Sequence, residues 1–335
     1  MKKALITGGA GFIGSNFIHF LLKKHNDLRV VNLDKLTYCG NLDNLKSVER
    51  NPRYHFIKGD IADKKLVAEI FQQEKPDIVV NFAAATHVDR SIFEPEVFTK
   101  TNIIGTQTLL GAALKAKIKK FIQISTDEVY GTIARGCFRE RDPFSPNSPY
   151  AASKAAADLL ARAYYKTFGL PVVVVRSCNN FGPFQFPEKV IPLFITNLLE
   201  NKKIPLYGEG KNVRDWIYVI DNCSAIDAVI SRGAPGEVYN ISANQEKTNI
   251  ELTKIILNFL KKDDTMIEYV SDRPGHDFRY ALDAAKIKSL GWQAKYKFMP
   301  AVNLTIDWYI KNKKWWRDIK TGEYKNYYKK QYKTL

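Results

Sequence analysis

Paired cysteines are missing from this 335-residue chain: Cys39, Cys137, Cys178 and Cys223 are scattered, with no CxxC spacing. That excludes a disulfide-stapled scaffold. Only five histidines occur and none clusters at metal-ligand spacing, so no metal is expected. There is no apolar run long enough to span a bilayer, and Met1-Lys2-Lys3 leads into a short strand-like segment and glycines rather than a signal peptide. A cytoplasmic protein with no membrane partner is expected. Acidic residues are also scarce, 35 against 51 Lys and Arg, for a net charge of +16. The cations are spread along the chain and thicken only after Lys311, which reads as a solvated basic surface that attracts an anionic nucleotide, not as a nucleic-acid face.

The 45% hydrophobic fraction is enough for a large core. Val/Ile-rich runs at 3–7, 28–33, 55–58, 78–82, 120–125 and 172–176 alternate with longer helix-like stretches. Strands that are continuously apolar are buried on both faces, so the pattern predicts an α/β fold with a doubly wound parallel sheet. Past residue 180 prolines and glycines multiply and the alternation stops. A first domain over 1–180 and a smaller C-terminal lobe over 181–335, interleaved with it, are expected. The later part should carry helices over 190–200 and 248–259 and a strand over 238–241.

Gly8-Gly9-Ala10-Gly11-Phe12-Ile13-Gly14 follows the first strand and opens an apolar helix. Missing side chains at Gly8, Gly11 and Gly14 allow a tight turn, close approach to a pyrophosphate and close helix packing, as in a Rossmann dinucleotide site. Asp34 stands twenty residues after Gly14, at the end of the second strand. Its carboxylate suits a ribose hydroxyl and repels a 2′-phosphate, which favours NAD over NADP. Tyr150 and Lys154 lie one helical turn apart. An ammonium beside the phenol should favour phenolate, and lowering its pKa by about two units takes about 2.7 kcal/mol. Asp127 and Glu128 add an acid and a base, which alcohol oxidation alone does not need and elimination of water does.

Ser125-Thr126-Asp127-Glu128-Val129-Tyr130-Gly131 with Tyr150-Ala151-Ala152-Ser153-Lys154 resembles the nucleotide-sugar 4,6-dehydratases of the extended short-chain dehydrogenase/reductase class. The resemblance runs almost end to end, through Leu33 to Tyr38, Gly59-Asp60-Ile61, Thr86 to Ser91, Asn179 to Pro183, Phe186-Pro187-Glu188-Lys189, Val213 to Trp216, Asp272 to Asp277 and the Trp315-Trp316 ending. It implies that Gly8, Gly11, Phe12, Ile13, Gly14, Asp34, Lys35, Thr37, Asp60, Ile61, Phe82, Ala83, Ala84, Thr101, Tyr150, Lys154 and Asn180 hold a tightly bound NAD. Thr86, Thr126, Asn179, Lys189, Val190, Pro205, Tyr207, Arg214, Asn249, Arg273 and His276 would face a nucleotide-diphosphosugar, with Lys189, Arg214 and Arg273 as cations for its diphosphate. The implied catalytic set is Thr126, Asp127, Glu128, Tyr150 and Lys154. It would dehydrate a nucleotide-diphosphoglucose, dTDP-glucose foremost, to the 4-keto-6-deoxy sugar; the class also implies a homodimer.

Protonated at pH 7, Asp127 would need its pKa raised by about three units, about 4 kcal/mol, from burial and repulsion by Glu128. Two rivals remain: a UDP-sugar 4-epimerase or decarboxylase, which has no use for the Asp127-Glu128 pair, and a non-catalytic cofactor-bound regulatory or nucleic-acid-binding protein. The sequence departs from the class at Asn81 and Ala85, where histidine and glutamate are usual, and at Phe181 and Phe184, where tyrosines are. Loss of the carboxylate at Ala85 bears on hexose preference. His87 reads as a satisfied polar residue rather than a proton shuttle, Cys178 as a small packing residue, and the Trp/Tyr/Lys tail as a packed helix.

Overall fold

The computed structural model describes residues 2–272, 275–321, 324, 328 and 331. The six predicted strands form as β1 (Lys2–Thr7), β2 (Leu28–Asp34), β3 (Tyr54–Lys58), β4 (Ile78–Asn81), β5 (Lys120–Thr126) and β6 (Val172–Ser177). Neighbouring residues on a strand face opposite cores. On β1, Ala4 and Ile6 pack on one face and Leu5 on the other; on β6, Val173 and Val175 oppose Val172 and Val174. Covering both faces explains why Val, Ile and Leu dominate these runs on both sides.

Further along come β7 (Asn179–Phe181), β8 (Ile204–Tyr207), β9 (Val213–Tyr218), β10 (Val238–Ile241), β11 (Glu246–Thr248) and β12 (Ile267–Val270). The large sheet is wholly parallel, in the order β10-β6-β5-β4-β1-β2-β3. The order reverses between β1 and β4, and this switch point opens the crevice in which such sheets bind ligands. β10 departs from the expectation that placed it with the later lobe: it closes the large sheet's edge, with Val238 to Ile241 registered against Val174 to Ser177. The chain therefore returns to the first layer after leaving it. A separate core, around Phe194, Trp216, Leu252, Ile306 and Trp316, unites the helices Val190–Leu199, Asn249–Phe259, Phe298–Lys311 and Lys313–Ile319 with small sheets of β11-β9-β7 and β12-β8.

Candidate active site

Two local structures at the carboxyl ends of the strands deliver the chemistry. After β5, Thr126 caps a single 3-10 turn, Asp127–Tyr130, its hydroxyl accepting from the Glu128 amide at 3.3 Å. Both carboxylates thus fall in the first turn beside the cap. Gly131 ends it at φ +78, where a Cβ would lie 2.3 Å from the Ser145 carbonyl oxygen, so only glycine fits. The helix Pro149–Phe168 is started by Ser148, whose hydroxyl accepts from Ala151 N, and by Pro149 in its first turn. Tyr150 then lies in the first turn and Lys154 one turn on, both buried.

Every residue expected at the cofactor lines one continuous cleft, together with Thr86, Thr126, Asp127, Glu128, Asn179 and Lys189. The glycine turn is as tight as its sequence suggested. Gly8 sits at φ +69 with room for no Cβ, which would lie 2.6 Å from Ala83 N, and a Cβ on Gly14 would lie 2.3 Å from the Gly8 carbonyl. Asp34 closes the adjoining wall; its oxygens accept from Leu36 N at 2.8 Å and Ala10 N at 2.9 Å, leaving lone pairs on both. Burial pushes its carboxyl up and those two amides pull it back. Lys35 pairs with Asp60 at 2.8 Å. Among the described residues the buried side-chain oxygens of Asn179, Asn180 and Gln185 have no hydrogen-bond partner, and all three residues line the cleft. A cradle closed to side chains, a ribose-matched carboxylate and orphaned amide oxygens fit a dinucleotide such as NAD.

Asp127 is 3% exposed; its Oδ1 accepts from the Thr126 hydroxyl at 3.1 Å, and its Oδ2 has no hydrogen-bond partner among the described residues. Burial, with Glu128's charge second, pushes its carboxyl up to about 8, so it is mostly protonated at pH 7. That meets the requirement set by the sequence. Tyr150 departs from expectation. Its phenol is pushed up, first by burial and then by Glu128, with the Thr126 hydroxyl pulling the other way. Lys154 points its ammonium at the Ile124 carbonyl, 2.6 Å away, and burial lowers its own pKa to about 8. Lys154 by itself therefore does not make the phenolate; the cost of burying charge outweighs it.

Other expected substrate residues lie outside the cleft lining. Val190 starts the helix after Lys189, Pro205 and Tyr207 are in β8, Arg214 is in β9, and Asn249 opens a helix of the second lobe. His276 packs edge-on to Tyr207, ring centroids 6.0 Å apart. Arg273 lies outside the described residues. Arg214 is not a solvated charge: it is 5% exposed, donates to the carbonyls of Val213, Phe278 and Asp277, and lies over the Tyr280 ring at 4.4 Å. Lys189 donates to the Thr86 carbonyl at 3.2 Å.

The departures from the class pattern resolve into packing. Asn81 is buried in a polar chain with Thr7, Thr106 and Gln123. Ala85 has its amide and carbonyl both bonded to Asn102, and it does not line the cleft although Ala84 and Thr86 do. Phe184 packs edge-on against Trp308 and Trp315. Cys178 does line the cleft, but burial pushes its thiol well above the usual range. In the tail Trp316 is fully buried. Sequence reasoning missed Cys39, Gln185, Phe186 and Glu188 as lining residues; Phe186 and Glu188 were in view, flanking Lys189.

A family model for GDP-mannose 4,6 dehydratase matches residues 5–305. The low-salt glycan biosynthesis protein Agl12 of Haloferax volcanii is 52% identical over 306 residues, spanning 91% of this chain and 98% of that protein. A dTDP-glucose 4,6-dehydratase of Xanthomonas campestris pv. campestris is 48% identical over 345 positions, 97% of this chain and 98% of the relative. The crystal structure of DesIV, a dTDP-glucose 4,6-dehydratase from Streptomyces venezuelae solved with NAD bound, matches with a TM-score of 0.92 at 48% identity, covering 95% of this chain and 99% of that one.

Proposed function

This chain belongs to the family that the GDP-mannose 4,6 dehydratase model describes, and from that premise we propose that it is an NAD-dependent hydro-lyase acting on dTDP-glucose. The product is the 4-keto-6-deoxy sugar nucleotide. The observation that carries the reading is the Asp127 carboxyl, pushed up to about 8 beside Glu128 and sharing Thr126 with Tyr150. A neutral acid next to a second carboxylate serves elimination of water, whereas a 4-epimerase needs only redox at C4. The thymidine nucleotide is taken from the relatives named for it.

The Gly8 to Gly14 turn and Asp34 would hold NAD, which when bound would supply the hydride chemistry at C4 and C6. Tyr150 takes the C4 hydroxyl proton, with Lys154 one turn away; the Thr126 hydroxyl, which otherwise donates to Asp127, turns to donate to the sugar O4. The C4 ketone acidifies C5. Glu128 removes the C5 proton, and Asp127 gives its proton to the departing C6 hydroxyl, which leaves as water. Residues 1–180 mainly hold the cofactor and 181–335 mainly the nucleotide sugar, through Lys189, Val190, Pro205, Tyr207, Arg214, Asn249, Arg273 and His276.

The active species is a homodimer: Ile92, Phe93, Val97, Ile104 and Leu159 stand more than 40% exposed on helices that pack together, an apolar face suited to a second copy. A reducing, cytoplasmic setting suits its four free cysteines. No helix among the described residues is long and apolar enough to cross a membrane. The test is incubation with dTDP-glucose and UDP-glucose in parallel, followed by mass analysis. Loss of one water, faster from the dTDP sugar, is expected; a product of unchanged mass inverted at C4 would make the chain an epimerase.

A further inference from the structure

Three side chains from distant parts of the chain meet at the edge of the cleft. Tyr38 lies in the loop after β2, Arg90 in the helix Val88–Phe93, and Glu188 in the segment before the helix Val190–Leu199. Glu188, whose side chain is only 2% exposed, accepts from the Tyr38 hydroxyl at 2.8 Å on one oxygen and from Arg90 Nε at 3.3 Å on the other. The Arg90 guanidinium lies 3.9 Å over the Tyr38 ring, which completes a triangle of contacts, and His87 Nε2 stands 4.0 Å from the same carboxylate. Phe186 adds an edge-on contact to Tyr38, centroids 5.3 Å apart.

Thr37, Cys39 and Gly40 on one segment and Phe186 and Glu188 on the other all line the cleft, so their contact through Tyr38 joins its two walls on that side. The second segment is fixed from behind: Asn16 Nδ2 donates to the Pro183 carbonyl at 2.9 Å, the Tyr309 hydroxyl to Gln185 O at 2.5 Å and the Tyr324 hydroxyl to Pro187 O at 3.0 Å. A wall anchored on one side and joined to the other by a buried carboxylate must part before a ligand filling the cleft can leave sideways.

We propose that Tyr38, Arg90 and Glu188 are positioning residues that latch the cleft over the bound dinucleotide and set how slowly it leaves. This rests on the NAD-binding reading above. In that chemistry the hydride taken from C4 must return to the same sugar, so loss of the cofactor between the two transfers would strand the keto intermediate; a slow exit guards against it.

The experiment uses purified holoenzyme and follows NAD release after dilution, by separating protein from free nucleotide at intervals and assaying NAD. Tyr38→Phe removes one hydroxyl and keeps the ring; Arg90→Lys keeps the charge and loses the planar contact. Each should release NAD roughly ten- to a hundredfold faster than the wild type, the range expected for losing a hydrogen bond to a charged group, whereas Tyr239→Phe, which loses a hydrogen bond to Ala234 N away from the cleft, should release it at the wild-type rate. Saturating added NAD should restore turnover. Unchanged release in both variants would overturn the latch, as would equally fast release from Tyr239→Phe, which would signal general loosening. A wild-type protein that neither carries nor binds NAD would instead overturn the cofactor reading itself.

Discussion

Replacing Asp127 by asparagine should cripple the reaction and, as pH rises, stabilise the protein. The folded carboxyl titrates near 8 and its ordinary value is 3.8. A group that holds its proton more tightly when folded favours the native state fully below about 4, and that contribution is lost as pH rises towards 8. The loss between pH 5 and pH 7 is on the order of 3 kcal/mol. The asparagine side chain does not titrate and escapes it. The new amide brings its own pH-independent penalty, because the oxygen it replaces has no partner among the described residues. The diagnostic quantity is therefore the pH slope, not the offset. Urea denaturation of cofactor-free wild type and Asp127→Asn across pH 5 to 8 should show the variant gaining on the wild type at every step, while water release falls by about 10² to 10⁴ and enzyme-bound NADH accumulates when substrate is added. A stability difference that stays constant from pH 5 to pH 8 would refute the reasoning, because Asp127 would then not be held neutral by burial.

Two further outcomes follow from the same geometry. Tyr150→Phe should abolish C4 oxidation, so that no NADH absorbance develops on adding substrate, while sugar-nucleotide affinity measured by calorimetry stays within a few fold; wild-type turnover would remove Tyr150 from the redox step. Gly14→Ala should abolish NAD binding or fail to fold, because its Cβ would lie 2.3 Å from the Gly8 carbonyl oxygen; mass spectrometry of the denatured protein checks for carried nucleotide.

Much of the site was readable because its parts are local. The glycine turn with Asp34 twenty residues on, the adjacent Thr126, Asp127 and Glu128, and the one-turn spacing of Tyr150 and Lys154 are fixed by chain connectivity once strand and helix are assigned. Arg214 shows the opposite case: its place over the Tyr280 ring depends on β9 packing beside a segment more than sixty residues later, which no local pattern announces. Ala85 is likewise held through its backbone by Asn102, seventeen residues on, a contact that only the packed structure makes.

By itself the sequence determined the parallel sheet, since strands dominated by Val and Ile on both faces must be covered on both, and it singled out the residues proposed for the redox and acid–base chemistry. Tertiary structure decided how those residues are charged and what encloses them. Burial among neighbours brought in from other segments pushes the Asp127 carboxyl and the Tyr150 phenol towards their neutral forms. Glu188 meets Tyr38, 150 residues away, only because the later lobe folds back on the loop after β2. Desolvation and long-range contact depend on which surfaces meet in space, and no local pattern encodes either.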